Sequence, residues 1–124
     1  MSARLRGRRR GQEGAATAEL ALGIPLLVAL TAGLVWMLAL GAAQVRVVDA
    51  SREAARAVAR GDDVTSAESV ALRVAPDGAR VRIEVDEARV VVTTSARVSG
   101  PGGLLASLPG VTVSAQAVAL PESS

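Results

Sequence analysis

No cysteine, histidine, lysine, tyrosine or phenylalanine occurs among the 124 residues, and tryptophan occurs once, at Trp36. Each absence closes off a class of function. Without cysteine there is no disulfide framework and no thiolate metal site. Without histidine, lysine and cysteine, the usual general bases and most usual nucleophiles are gone, so the chain is expected not to be an enzyme. Carboxylates alone remain for such work. The sequence contains no phosphate-cradling loop, metal-ligand cluster or nucleophile–base set, and neither a cofactor nor a metal is expected.

Basic charge is present but unevenly placed. All fourteen basic residues are arginines, and five of them (Arg4, Arg6, Arg8, Arg9 and Arg10) lie in the first ten positions. Glu13 is the one acid of residues 1–14, so this leader carries +4 while the remainder of a chain of net charge +2 carries −2. The sequence pI of about 10.9 therefore reports the leader. A slightly acidic remainder, nearly free of aromatics, excludes nucleic acid as the expected partner.

What the chain has in quantity is an apolar run. Between Leu20 and Val45 there is no ionisable residue. As a helix those residues extend roughly 39 Å at 1.5 Å per residue, enough to cross a hydrocarbon core of about 30 Å with some tilt. The arginines before the run place its N-terminal end in the cytoplasm by the positive-inside rule, and residues beyond about 46 outside. A single-pass cell membrane protein with an extracytoplasmic head is the expectation. Pro25 withholds an N–H from the carbonyl of Ala21, which predicts a bend, although membrane helices accommodate ordinary prolines. Ala29/Gly33 and Ala39/Ala43 are small-residue pairs that permit close helix approach. Trp36, about 25 Å beyond Glu19 along a helix, reads as an anchor at the outer interface.

Glu19 stands where the apolar run begins. A carboxylate at the bilayer centre costs about 2.5–3.5 kcal/mol on insertion scales and less near an end, so such a residue normally has a partner. Cleavage between Gly14 and Ala15 creates an ammonium on Ala15, four residues before Glu19. At the new helix N-terminus the macrodipole also favours the carboxylate. In a bundle of staggered copies, Glu19 of one subunit meets the Ala15 ammonium of a neighbour. Two plainer readings stay open: an uncleaved signal anchor carrying an accessory or binding module, and a secretory signal cut after Ala43. The run far exceeds the usual 7–15 residues of a signal h-region, which weighs against the latter.

Gly14 followed by small or apolar residues, with Glu19 at the fifth position after the cut, resembles the prepilin peptidase pattern of type IV pilin-like proteins. More narrowly, Glu19-Leu20-Ala21-Leu22-Gly23-Ile24-Pro25 is similar to the Glu-x-Ala-Leu-x-x-Pro start of TadE-like proteins, the minor pilins or pseudopilins of tight-adherence (Flp) pilus systems. Arg52-Glu53-Ala54-Ala55-Arg56 is similar to the Arg-Glu-Gly-Ala-Arg stretch that family carries after its membrane helix. Leu20 stands where an aromatic is frequent, and Ala54 where glycine is. The resemblance covers residues 14–60 and the rest in outline. It implies leader cleavage between Gly14 and Ala15, assembly and register through Glu19 and Pro25, and a structural role in pilus assembly. The implied partners are prepilin peptidase, other pilin-like subunits, the assembly machinery and the membrane.

From Gln44 to Arg60 the pattern is amphipathic. Arg46, Asp49, Glu53, Arg56 and Arg60 form a polar stripe; Val47, Ala50, Ala54 and Val58 form an apolar one, widened by Val48, Ala55 and Ala59 and edged by Arg52. Gly61 is placed to end the helix. The remaining residues, 62–124, predict a small α+β head. Thr65-Ser66-Ala67-Glu68 matches a capping box opening a helix to about Val74, and Ala75-Pro76-Asp77-Gly78 signals a turn. Three strands are expected: Ala79, Val81, Ile83 and Val85 on one face, then Ala88, Val90, Val92, Thr94, Ala96 and Val98, then Val111, Val113, Ala115, Ala117 and Ala119. The Asp86-Glu87 connection lacks the glycine of tight hairpins. Residues 99–110 read as a loop with an apolar anchor at Leu104, Leu105 and Leu108. The charges Arg80, Arg82, Glu84 and Asp86 read as a solvated strand face. The expected organisation is a leader at 1–14, a pilin-like helix at 15–61 and a head at 62–124. A head of about sixty residues buries only ~60% of its unfolded surface and needs help from the helix or from neighbouring subunits.

Overall fold

The computed structural model describes residues 2–100 and 110–122, with side chains from residue 11 onward. The element order is α1 (Ser2–Ala59), α2 (Val64–Val74), β1 (Arg80–Val85), β2 (Val90–Val98) and β3 (Val111–Ala119). This is the expected α+β fold, a long apolar N-terminal helix, a short helix and a three-strand antiparallel sheet. Two compact units divide the chain, Met1–Val35 and Trp36–Ser124. Most of the loop expected over 99–110, including Leu104, Leu105 and Leu108, lies outside the described residues.

The first unit is helix alone. Its apolar side chains are large and exposed, from Leu20 and Leu22 through Leu34 and Val35. The assignment of α1 runs unbroken through Pro25.

The second unit is built around β2, the middle strand of a sheet ordered β1-β2-β3. Strict alternation gives β2 one apolar face, and Val90, Val92, Thr94 and Ala96 on that face are buried. β1 pairs antiparallel with it (Ile83 opposite Val92), as does β3 (Ala117 opposite Val92). The C-terminal part of α1 and all of α2 cover this face. One cluster joins Ala50, Ala54 and Ala57 of α1 to Ala67 and Ala71 of α2 and to Val90 and Val92. A second joins Ala43 and Val47 to Ala96 and Val113. The core contains no side chain larger than valine among its fully buried members. Short side chains bring helix backbone near the sheet, and at crystal-like packing density such a core leaves little room for enlargement.

Where the strands end, the burial expected from alternation fades. Val85 is 55% exposed and Val111 40% exposed, and Ala88 lies in the β1–β2 connection, not in β2. Strand ends have no neighbour on one side to cover them. The connection closes without glycine: the Asp86 N–H donates to the Arg89 carbonyl at 2.9 Å, and the Glu87 N–H to Asp86 Oδ1 at 2.7 Å. No non-glycine residue takes a positive φ among the described residues, so this turn avoids the left-handed region that tight hairpins require.

Helix termini follow local chemistry. Gly61, at φ 103°, closes α1 in a Schellman arrangement: its N–H donates to Val58 O and that of Asp62 to Ala57 O, both at 3.0 Å. The capping box expected at Thr65 is not formed. Asp63 is the N-cap of α2, two residues earlier, and it makes no side-chain capping bond; Ser69 Oγ instead donates to Thr65 O at 3.0 Å. Past Ala75, the Ala79 N–H donates to Pro76 O around Gly78, whose φ of 76° suits the third position of a type II turn.

Candidate functional site

Gly14, Ala15, Glu19 and Pro25 all lie on α1 within the first unit, and all four are exposed. Ala15 and Glu19 are one helical turn apart and share a face. A Cβ added at Gly14 would meet nothing within 4 Å beyond the adjoining helix backbone. Among the described residues Glu19 belongs to neither ion pair; those are Glu53–Arg56 at 3.6 Å and Asp62–Arg60 at 3.5 Å.

Two threonines of the first unit satisfy their hydroxyls within the helix. Thr17 Oγ1 donates to Glu13 O and Thr31 Oγ1 to Leu27 O, each at 2.8 Å. A threonine bonded to the carbonyl four residues back carries no unsatisfied hydroxyl into an apolar medium. The exposed Leu20, Leu22, Ile24, Leu26, Leu27 and Val28 follow. No other described stretch of the chain presents so many large apolar side chains, and α1 is the one described helix long and apolar enough to cross a membrane, by length and composition. Glu19 is thus an exposed carboxylate on the margin of an exposed apolar surface.

Trp36 opens the second unit. Its indole N–H is shielded from solvent and has no acceptor among the described residues. Further along α1 the amphipathic reading is realised: Arg46, Asp49, Arg56 and Arg60 are exposed, while Val47, Ala50, Ala54 and Ala55 are buried. Arg52 is exposed, at the edge of the apolar arc.

The pattern missed Ser51. Completely buried on the sheet-facing side of α1, its hydroxyl lies 2.8 Å from Thr94 Oγ1 and 3.1 Å from the Ala115 carbonyl. Helical spacing was the available signal, because Ser51 follows Val47 and Ala50 at steps of four and one and precedes Ala54 by three. Gln44 adds a second tie, Nε2 to Ser114 O at 3.2 Å. The opposite face of the sheet carries exposed Arg80, Arg82 and Glu84, which line a shallow hollow of about 580 Å³ with Thr93, Ser95 and Gln116. It is a wet polar strand face, as its alternation implied.

Comparison with known proteins bears on the helix first. Residues 14–56 match the family described as TadE-like protein. The chain is also similar to the protein named apoptosis inhibitor Rv3655c from Mycobacterium tuberculosis (strain ATCC 25618 / H37Rv), at 42% identity over 79 residues. That match takes in 64% of this chain and 57% of the relative, so the chain spans little more than half the relative's length. No solved structure matches.

Proposed function

We propose, from the TadE-like segment at residues 14–56, that this chain is a minor pilin or pseudopilin of a tight-adherence pilus system, with a structural and not a catalytic role. Prepilin peptidase removes residues 1–14 on the cytoplasmic side, where the leader arginines hold that end. The mature chain keeps the apolar run of α1 in the membrane with residues beyond about 46 outside, and joins other pilin-like subunits and the assembly machinery through α1. Glu19 sets the register by pairing with the Ala15 ammonium of a neighbour, and Pro25 adapts the helix to its neighbours.

One observation carries this reading: Glu19 is exposed and outside every ion pair among the described residues, at the head of an exposed run of leucines. An apolar helix needs a lipid or protein environment, and a carboxylate beside it needs a cation. A neighbouring subunit with a free N-terminus supplies both.

Glu19→Gln tests it. Glutamine is nearly isosteric and easier to insert, so insertion and cleavage persist. Loss of a hydrogen bond to a charged group costs roughly 1.5–3 kcal/mol, about a tenfold to hundredfold weakening per contact. The amount of cleaved protein recovered in sheared surface filaments, or crosslinked to partner pilins, falls accordingly. Equal recovery from both proteins would return Glu19 to an incidental interfacial acid and leave a plain membrane anchor.

A further inference from the structure

We infer that the groove between α1 and the end of β2 binds the phosphodiester of an anionic lipid headgroup through Arg46 and Arg97. This rests on the reading of α1 as membrane-spanning, and goes beyond it. The groove, of about 390 Å³, lies wholly within the second unit and is lined by Ala39, Ala42, Ala43 and Val98 together with Arg46 and Arg97. An apolar slot with two arginines suits a ligand whose anionic head continues into glycerol and acyl chain. A free anion has no use for the slot.

Three further observations converge on this occupant. Neither Arg46 nor Arg97 is in an ion pair among the described residues, so both guanidinium groups are available to an outside anion. The Arg97 side chain also runs close past Gly110. A Cβ at Gly110 would come within 2.9 Å of Arg97 Nε, 3.0 Å of its Cγ and 3.0 Å of the Val98 carbonyl. The Arg97 stem therefore lies across bare backbone at Gly110, a course that any other residue there would obstruct. The third observation is depth. Counted along the sequence from Leu20, about 20 residues at 1.5 Å each cross the hydrocarbon core, which ends near Ala39; the headgroup layer takes the next few residues. The α1 wall of the groove starts in that layer at Ala39 to Ala43, and Arg46, about 10 Å past the core edge and the first charge after the apolar run, reaches back to it with its long side chain. Planar guanidinium groups match phosphate oxygens in a fork geometry.

The test uses the full chain in nanodiscs of mixed phosphatidylglycerol and phosphatidylcholine, with the lipids retained by the protein on extraction counted by mass spectrometry. Each arginine near an anionic surface contributes roughly fivefold, so the wild type retains phosphatidylglycerol roughly 25-fold over its share in the bilayer. Arg46→Gln with Arg97→Gln brings this close to parity. Both residues are exposed, and the Arg46→Lys/Arg97→Lys chain, which keeps the charge, retains part of the preference and separates lost binding from lost folding. Arg73→Gln with Arg82→Gln, neither of them in the groove lining, leaves the preference intact. Equal preference in the wild type and the Arg46/Arg97 glutamine chain would overturn the proposal, as would equal loss in the Arg73/Arg82 chain, which would mean diffuse charge attraction. Loss of the lipid preference in excess inorganic phosphate would identify a free-phosphate site and also overturn it. A chain that never enters nanodiscs removes the membrane reading itself, whereas one that enters without lipid preference removes this proposal alone.

Discussion

The two units of this chain use apolar residues in opposite ways. In residues 20–35 the large side chains, leucine, isoleucine and valine, point outward and are more than half exposed. In residues 36–124 the buried apolar residues are alanine and valine, and the fully buried side chains reach no further than valine. A water-soluble domain distributes sizes the other way, with its bulkiest apolar groups inside. The inversion is compatible with a single-pass membrane anchor in the first unit, while the second makes do with small contacts at short range. One helix, α1, serves both regimes and changes character near Ala43, the first buried residue along it.

The largest effect should come from giving the first unit a residue suited to water. Leu27→Arg places a charge in the middle of the apolar run, at about 3 kcal/mol on insertion scales, roughly a hundredfold loss of membrane-inserted chain. Resistance to alkaline extraction from membranes measures it. If the inserted fraction is unchanged, the exposed leucines do not face lipid and the comparison breaks.

The complementary change puts a large residue where the second unit holds a small one. Ala54 is wholly buried between α1 and the sheet, and Ala54→Leu should destabilise the head by about 2 kcal/mol through overpacking. The urea midpoint of the nanodisc-held chain, followed by circular dichroism, reads this out. Insertion should not respond. A rise in midpoint would reveal space that the alanine-rich contact does not have.

A polar contact within that core gives a smaller and more diagnostic effect. Ser51→Ala leaves the Thr94 hydroxyl buried without its 2.8 Å partner, for roughly 1–2 kcal/mol. Ser51→Ala with Thr94→Val removes both partners, and much of the loss should return. A double variant as unstable as the sum of the singles would mean the pair is two independent polar groups and not one linked contact.

The smallest effect is expected at Asp63. N-cap residues usually contribute about 1 kcal/mol through a side-chain bond, but Asp63 makes none. Asp63→Ala should therefore change the stability read from the urea midpoint by no more than a few tenths of a kcal/mol, below the usual capping contribution. A full-size loss would show that a capping bond forms in solution.

These sites also show what was legible before the structure. Period-2 alternation located all three strands and put Val90, Val92, Thr94 and Ala96 on the buried face, because a pleated strand converts alternation directly into two faces. The apolar stripe of α1 was legible for the same reason at helical period. The start of α2 was not: Thr65 and Glu68 have capping-box spacing, yet Asp63 lies nearer the Schellman turn at Gly61 and takes the N-cap. Exposure of Val85 was hidden too, since alternation assigns a face but says nothing about how far a covering layer reaches. Ser51 carries no signal by itself; its meaning depends on Thr94, forty-three residues away in sequence. The pairing of Arg46 with Arg97 in one groove is of the same kind. In the candidate site, the exposure of Gly14, Ala15, Glu19 and Pro25 follows from their place on a single helix.

Loss of the basic leader is the step that would turn this helix into an assembly segment. Its most direct measurement is the intact mass of the chain recovered from membranes of cells that also express prepilin peptidase. The account predicts a chain beginning at Ala15, shortened by the fourteen residues that carry the five leader arginines and Glu13, with Gly14→Leu blocking the shortening. A full-length chain beside active peptidase, or a chain beginning at Gln44, would contradict it.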